Sequence, residues 1–327
     1  MVMRVFVAGG AGVFGQRLVP QLVARGHQVF ATTTSGSKLS VLKALGANGV
    51  VMDGLNARSV NEAVAAARPD VIVHQMTGLS RTHAGEPDMK HWDRWANPTI
   101  QLRIAGTNHL LAAAAASGVS HIVAQSYGAW NGIQEGGWVK TEQDPLYSGE
   151  GTSFKSSADA IKHVEDAMRE VGGAALRYGS LYGPGATDDQ IELLRKRMYP
   201  LVGGGGGYMS WVHLDDAASA TVLAVEKRAR GVFCIVDDEP APAREWLPYL
   251  AACAGAKPPM RIPKWIARIL AGDVPVMMMT QGRGFSNAKA KQELGWKLRY
   301  PSWRTGFREG GLVRERPADA ATPGSPG

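Results

Sequence analysis

Met3-Arg4-Val5-Phe6-Val7-Ala8-Gly9-Gly10-Ala11-Gly12-Val13-Phe14-Gly15 is the stretch that decides the fold. Val5, Phe6 and Val7 suit a pleated, buried strand. They run directly into glycines spaced G-x-x-G-x-x-G at Gly9, Gly12 and Gly15, and an amphipathic helix is predicted over 16–25. A glycine pattern held between a strand and a helix is what a dinucleotide pyrophosphate requires. Gly9 allows the tight turn, and Gly12 lets the backbone approach the anion. Gly15 lets the helix pack close to the strand with its N-terminus aimed at the phosphates. Val13 and Phe14 belong to the same cradle. The competing reading is a glycine-rich turn that holds no ligand.

Outward from this unit, strand and helix patterns alternate. Strands are predicted over 27–32, 49–52, 71–75, 121–126 and 174–178, and helices over 57–67, 99–117 and 156–170. A loop containing Gly85, Pro87 and Pro98 is expected before the helix at 99–117. This alternation predicts an α/β, Rossmann-type doubly wound parallel sheet. After Gly183-Pro184-Gly185 the pattern changes. A helix over 188–198 and the glycine run 203–207 follow, and Asp215 or Asp216 is expected to cap a helix ending near 226. A strand over 232–236 is expected to rejoin the sheet. The expected organisation is a dinucleotide-binding domain over 1–180, with its sheet completed by about 211–237. A smaller, mainly helical substrate lobe, interleaved with it, spans 181–316. The tail at 317–327, rich in Pro, Gly and Ala, is expected to be disordered.

Composition narrows the function classes. The 327 residues are 45% hydrophobic and 20% charged, ordinary for a globular protein with a large core. No apolar stretch reaches the roughly 18 residues of a membrane span, so no membrane partner is expected. No secretory leader is read at the start. Two cysteines, Cys234 and Cys253, sit in apolar surroundings; they read as buried thiols, and no metal-ligand spacing is present. A cytoplasmic location is the expectation. The net charge of +7 gathers late, in Lys257, Arg261, Lys264, Arg268, Lys289, Lys291, Arg304 and Arg308. Without interleaved aromatics or zinc-finger spacing it excludes nucleic acid as the expected partner. It reads either as a solvated basic face or as attraction for an anionic cofactor and substrate.

The end of the second strand bears on the cofactor. An acidic residue there would bind both ribose hydroxyls of NAD. The corresponding place is Thr33, flanked by Thr32, Thr34 and Ser35. Hydroxyls can donate to a 2′-phosphate, and Lys38 and Arg17 can supply positive charge. NADP(H) is therefore expected over NAD(H), the alternative being a polar turn with weak preference. Gln75, Met76 and Thr77, ending the fourth strand, lie on the expected cofactor path.

Further motifs follow in order. Asp53 closes the third strand, with Gly54 and Leu55 after it. Gly106-Thr107-Asn108-His109-Leu110-Leu111 lies on a long helix, and Ser126 ends the fifth strand. Then come Leu176-Arg177-Tyr178-Gly179-Ser180-Leu181-Tyr182-Gly183-Pro184-Gly185, Val212-His213-Leu214-Asp215-Asp216-Ala217 and Asn287-Ala288-Lys289-Ala290-Lys291-Gln292-Glu293-Leu294-Gly295-Trp296. With the glycine loop, this series resembles the short-chain dehydrogenase/reductase superfamily, in its extended and atypical branch of NAD-dependent epimerase/dehydratase-like proteins. The resemblance runs to about Phe307. It implies a small-molecule substrate and an Asp53 that hydrogen-bonds adenine, unless Asp53 only caps its turn. It also implies a nicotinamide pocket lined near Tyr178 and Gly179. The family's homodimer would use the helices at 99–117 and 156–170, whose alanine-rich faces leave the oligomeric state open.

The departures from the family matter equally. Family catalysis uses a Tyr-x-x-x-Lys pair on the helix after the fifth strand. Counted back from Glu165, those places are Ser157 and Ile161, and no Tyr-x-x-x-Lys occurs anywhere in the chain. Lys162 lies one position off, rotated about 100° around the helix, and Lys155 lies earlier. The asparagine three residues before the Gly-Thr pair is Arg103. Only Ser126 carries over at its motif position. Another proton donor is then required. Tyr127, at the mouth of the fifth strand, reads either as a general acid whose pKa is lowered by nearby cations or as a packing residue. His74 reads as a buried histidine and His213 as architecture. Trp92, Trp95, Trp130 and Trp138 wall an apolar substrate pocket or form the lobe's own core. The expected function is an NADP(H)-dependent oxidoreductase acting on a carbonyl or alcohol of a small organic or sugar-like substrate, with a non-standard proton donor. Two alternatives stand: an epimerase or dehydratase that cycles its cofactor internally, and a non-catalytic dinucleotide sensor.

Overall fold

The computed structural model describes residues 2–79 and 81–312; the tail expected at 317–327 lies outside them. Seven strands form one sheet: β1 Arg4–Ala8, β2 Gln28–Thr33, β3 Asn48–Val51, β4 Val71–His74, β5 Ile122–Tyr127, β6 Ala174–Tyr178 and β7 Gly231–Ile235. Their spatial order is β7-β6-β5-β4-β1-β2-β3, and every pairing is parallel. The strand order reverses between β1 and β4, which opens a crevice at their carboxyl ends. Val5, Phe6 and Val7 are wholly buried. Each such side chain contributes about 1.5–3 kcal/mol of burial free energy, so β1 anchors both faces.

Helices cover both faces. On one side α1 Gly15–Ala24 packs with the helix Leu214–Glu226 over Val5, Val7, Leu176 and Phe233. On the other, the helix Ala57–Ala67 joins two long helices over Phe6, Ala124 and Ala175. The first of these runs Trp92–Gln101, widens into a π-helical turn at Leu102–Gly106, and continues Thr107–Ala116. The second spans Lys155–Glu170. A second core, rich in Trp211, Trp246, Trp303, Tyr182 and Phe307, belongs to the lobe beyond the sheet.

The structure differs from expectation at several points. Pro98 lies inside a helix that begins at Trp92, not in the loop expected before 99. A proline cannot donate the i→i−4 bond, but Ala96 and Ile100 gain burial against Ala160, with Trp92 and Trp95 beside them. That packing outweighs the missing bond. Neither Asp215 nor Asp216 is the cap: His213 Nδ1 accepts from the Asp215 backbone N–H at 3.1 Å. The two aspartates occupy the first turn, where the helix dipole favours them. Cys234 is buried as expected, whereas Cys253 is exposed. Among the described residues four two-stranded pairings also occur, including Ser180–Tyr182 with Trp211–His213. Such short pairings carry no readable periodicity.

Candidate active site

The carboxyl ends of β1 to β4 bring the expected cofactor residues to one edge. Gly9 has φ of +93°, and a Cβ there would sit 2.8 Å from the Gln75 carbonyl oxygen. A Cβ on Gly15 would overlap the Gly10 backbone, so α1 can approach β1 only with glycine here. A Cβ on Gly12 would meet nothing closer than the Gly9 oxygen, at 3.3 Å; protein packing alone does not demand glycine there. Thr32 holds the loop, its hydroxyl accepting from Gly9 N–H at 2.9 Å and its carbonyl from Ala11 N–H at 3.2 Å. Among the described residues the N–H groups of Val13 and Phe14 find no acceptor. With the start of α1 they form the donor set an anion needs. A dinucleotide pyrophosphate fits this cradle.

The end of β2 holds no carboxylate. Thr33 is buried and its hydroxyl accepts from Ser35 N–H at 3.2 Å. Ser35 and Ser37 hydroxyls lie 2.7 Å apart, and Thr34 and Lys38 are exposed. Arg17, the other expected cation, lies 3.9 Å from Asp215. At β3, Asp53 Oδ1 accepts from Leu55 N–H at 2.9 Å, and the residue stays exposed. Gly54 is pressed against Met76, and its carbonyl accepts from His109 Nδ1 at 3.0 Å.

At β4, His74 is neutral architecture. Its Nδ1 accepts from Met76 N–H at 3.2 Å, which leaves Nε2 to donate to Thr107 at 3.1 Å. Burial first, and then the charge of Arg103, lower its pKa to about 4. Gln75 Nε2 donates to the Tyr178 hydroxyl at 3.0 Å, and that hydroxyl lies 2.7 Å from Thr221 Oγ1. Tyr178 is 2% exposed, with its ring 5.1 Å from Phe14. It therefore props the glycine loop from within the core and does not line an open pocket. Gly179 is likewise enclosed: a Cβ would stand 2.9 Å from the Ser210 carbonyl oxygen.

Ser126 is engaged within the core. Its hydroxyl donates to Glu165 Oε1 at 2.7 Å. Glu165 also receives both arms of Arg177, at 2.7 and 2.8 Å, and both charged side chains are 5% exposed. Strand alternation explains the outcome. Ser126 points into this buried triad beneath the helix Lys155–Glu170, and Tyr127 is the residue left at the mouth. Tyr127 also departs from expectation, because burial drives its pKa up despite the opposing influence of Trp130 and Arg103. It stays protonated and is a poor acid.

An aromatic wall continues from Tyr127. Its ring stands edge-on to Trp130 at 6.0 Å; Trp130 meets Phe154 at 4.9 Å, Phe154 meets Trp92 at 6.1 Å, and Trp92 meets Trp95 at 5.3 Å. Trp138 lies apart, stacked on Tyr208 at 5.3 Å. Two residues lie at the positions counted from the sequence for the family's catalytic pair. Ser157 Oγ accepts from Trp92 Nε1 at 2.9 Å, and Ile161 is 1% exposed. Lys155 pairs with Asp159 at 2.6 Å and Lys162 pairs with Asp166, both near solvent. Neither reaches the site.

Arg103, read from the sequence only as a departure, stands inside this site on the π-helical turn. Its Nε is buried with no hydrogen-bond partner, and desolvation lowers its pKa to about 10. Its charge acts on both His74 and Tyr127. The available signal was a lone arginine between Ile100, Leu102, Ile104 and Ala105. Among the described residues no group of three or more His, Cys, Asp or Glu could hold a metal, and no helix is long and apolar enough to cross a membrane.

A parallel sheet in this order with an anion cradle at its switch point defines a nicotinamide dinucleotide-binding protein. The chain belongs to the NAD dependent epimerase/dehydratase family, whose model matches residues 5–235, and it is an NAD(P)-dependent enzyme of the oxidoreductase or epimerase kind. It is 40% identical to the 3-diazoavenalumate denitrifying reductase of a Streptomyces species, over 93% of this chain and 99% of that protein. It is 29% identical to the 2-alkyl-3-oxoalkanoate reductase of Stenotrophomonas maltophilia, over 78% of this chain and 76% of that one. The fold matches Thermus thermophilus UDP-glucose 4-epimerase solved with NAD, with a TM-score of 0.69 at 24% identity over 94% of this chain and 97% of that one. It also matches a human epimerase family protein solved with NADPH, with a TM-score of 0.70 at 18% identity over 94% and 98%.

Proposed function

We propose that this protein is an NADP(H)-dependent reductase of a small organic molecule whose reduction needs no proton relay, with an aryl diazonium compound as the leading substrate class. The observation that carries this reading is the filled place of the proton-transfer pair: Ser157 is engaged by Trp92 and Ile161 is buried. The Streptomyces relative adds support, being named for the reduction of a diazo acid with loss of nitrogen.

The cofactor residues are Gly9, Gly12, Val13, Phe14 and Gly15 for the pyrophosphate, and Asp53, Gly54 and Leu55 for the adenine end. Thr33, Thr34, Ser35 and Lys38 take the 2′-phosphate, and Gln75, Met76 and Thr77 lie along the path toward nicotinamide. The lack of any acid at the end of β2 supports NADP(H) over NAD(H). When bound, the cofactor supplies a hydride. Replacement of N2 by H at a diazonium carbon balances with that hydride alone: the C–N bond breaks, a C–H bond forms, two electrons pass and dinitrogen leaves. No proton is taken from the protein. Tyr127 keeps its proton and hydrogen-bonds the substrate, while the wall from Trp130 to Trp92 holds an apolar or aromatic body and excludes water.

A second reading keeps the notion of a carbonyl substrate, with Tyr127 as proton donor. Its support is the position of that hydroxyl at the end of β5. The two separate by experiment. Calorimetric titration with NADPH and NADH, followed by aryl diazonium and carbonyl panels read by loss of reduced nicotinamide, is expected to give tight NADPH binding and turnover of diazo compounds. Turnover of carbonyls alone would favour the second reading. Tight binding without oxidation would point to an internal redox cycle or a sensor.

A further inference from the structure

Arg103 is a partly buried cation that the fold leaves unpaired. Its Nε lies out of contact with water and makes no hydrogen bond, and no carboxylate among the described residues lies within ion-pair distance. The buried guanidinium of Arg177, by contrast, is held by Glu165 through two hydrogen bonds. A guanidinium whose Nε is shut from water and unbonded gains from an anion that completes it. Arg103 also rides on a π-helical turn, a distortion frequent at functional sites. It shares its surroundings with Tyr127, where the aromatic wall begins.

Building on the reductase reading, we infer that Arg103 is the anchor for an anionic substrate, and that the substrate class is an aromatic or conjugated carboxylic acid. The guanidinium fork matches a planar carboxylate in two parallel hydrogen bonds. The partly exposed rings of Tyr127 and Trp92, backed by the buried Trp130 and Phe154, are the surfaces on which a flat ring would lie. The cofactor does not serve as the missing anion, because its phosphates belong to the glycine loop and the β2 turn, while Arg103 acts on the ends of β4 and β5. The nicotinamide ribose that reaches this end carries neutral hydroxyls. Arg103 thus fixes the acid end of the substrate and leaves the reducible carbon to be presented to the nicotinamide.

The test compares trans-cinnamate with cinnamamide, its neutral analogue of the same shape, by calorimetry on the NADPH-loaded protein. The wild type is expected to bind the acid at least about tenfold more tightly than the amide. Arg103→Met is expected to abolish the difference and Arg103→Lys to retain part of it, with NADPH affinity unchanged in both. Equal binding of acid and amide by the wild type, which needs no variant, would overturn the inference. So would undiminished discrimination in Arg103→Met, a failure of the wild type to bind either compound, or a loss of NADPH affinity in place of acid affinity. Hydride turnover is read separately with the aryl diazonium panel: acid binding through Arg103 without any NADPH oxidation by that panel would leave the anchor standing and remove the reductase reading.

Discussion

Trp92 Nε1 donates to Ser157 Oγ at 2.9 Å, and Ser157 is the residue that counting back from Glu165 sets at the tyrosine position of the family pattern. Two helices are tied together by this bond, the one that carries Pro98 and the one that carries Glu165. On the reading proposed above, an indole and a small hydroxyl stand in for a phenol–lysine pair. Tyr127 begins the aromatic wall, and the charge of Arg103 acts on it.

Tyr127→Phe tests whether a proton passes. Loss of a true general acid lowers rate by about 10²–10⁴. With a diazo substrate the variant is expected to keep kcat within about tenfold and to raise KM through the lost hydrogen bond. A fall in kcat of several hundredfold in steady-state assays would restore Tyr127 as proton donor.

Ser126→Ala is expected to act on stability and not on chemistry. Its hydroxyl bonds a buried carboxylate, an interaction contributing about 1.5–3 kcal/mol, so the urea midpoint should fall while kcat stays within about twofold. Glu165→Gln should cost more, about 3–5 kcal/mol, because it leaves Arg177 buried without its partner. A Ser126→Ala protein of native stability but greatly reduced kcat would contradict this assignment.

Thr34→Asp places a carboxylate on the exposed turn after β2, where it would face a 2′-phosphate. NADPH affinity is expected to fall at least about tenfold and NADH affinity to change little. Equal effects on both, measured by calorimetry, would mean that this turn does not set the preference.

Stability should decline in mild acid. His74 takes up its proton near 6.5 when unfolded and near 4 when folded. The unfolded chain therefore binds more protons between these values, and stability is complete above 6.5 and lost as pH falls toward 4. The share from this residue is up to about 3 kcal/mol. Urea midpoints taken across that window should fall with pH, and less steeply in His74→Gln, whose amide can still accept from Met76 and donate to Thr107. Equal slopes in the two proteins would contradict the depressed value.

How much was legible in the sequence varies with the physics involved. Gly9 and Gly15 announced the cradle because backbone geometry there tolerates little else, and apolar runs such as Val71-Ile72-Val73 announced buried parallel strands. The helix through Pro98 was hidden, because a local rule about proline was overruled by burial of Ala96 and Ile100 contributed from elsewhere in the fold. The partners of Ser126 were hidden because a motif position does not reveal which way its side chain points. Glu165 and Arg177, distant in sequence, claim it. Arg103 was visible as an oddity, but its lack of a partner becomes visible only once the chain is folded.

The most direct measurement uses NADPH deuterated at C4, prepared separately on each face, with an aryl diazonium carboxylic acid. The account predicts one dinitrogen released per NADPH oxidised, with deuterium from one of the two labelled forms retained at the carbon that lost nitrogen. Dinitrogen release without NADPH oxidation, a product hydrogen drawn from solvent with both labelled forms, or no reaction in a protein that binds both ligands would contradict it.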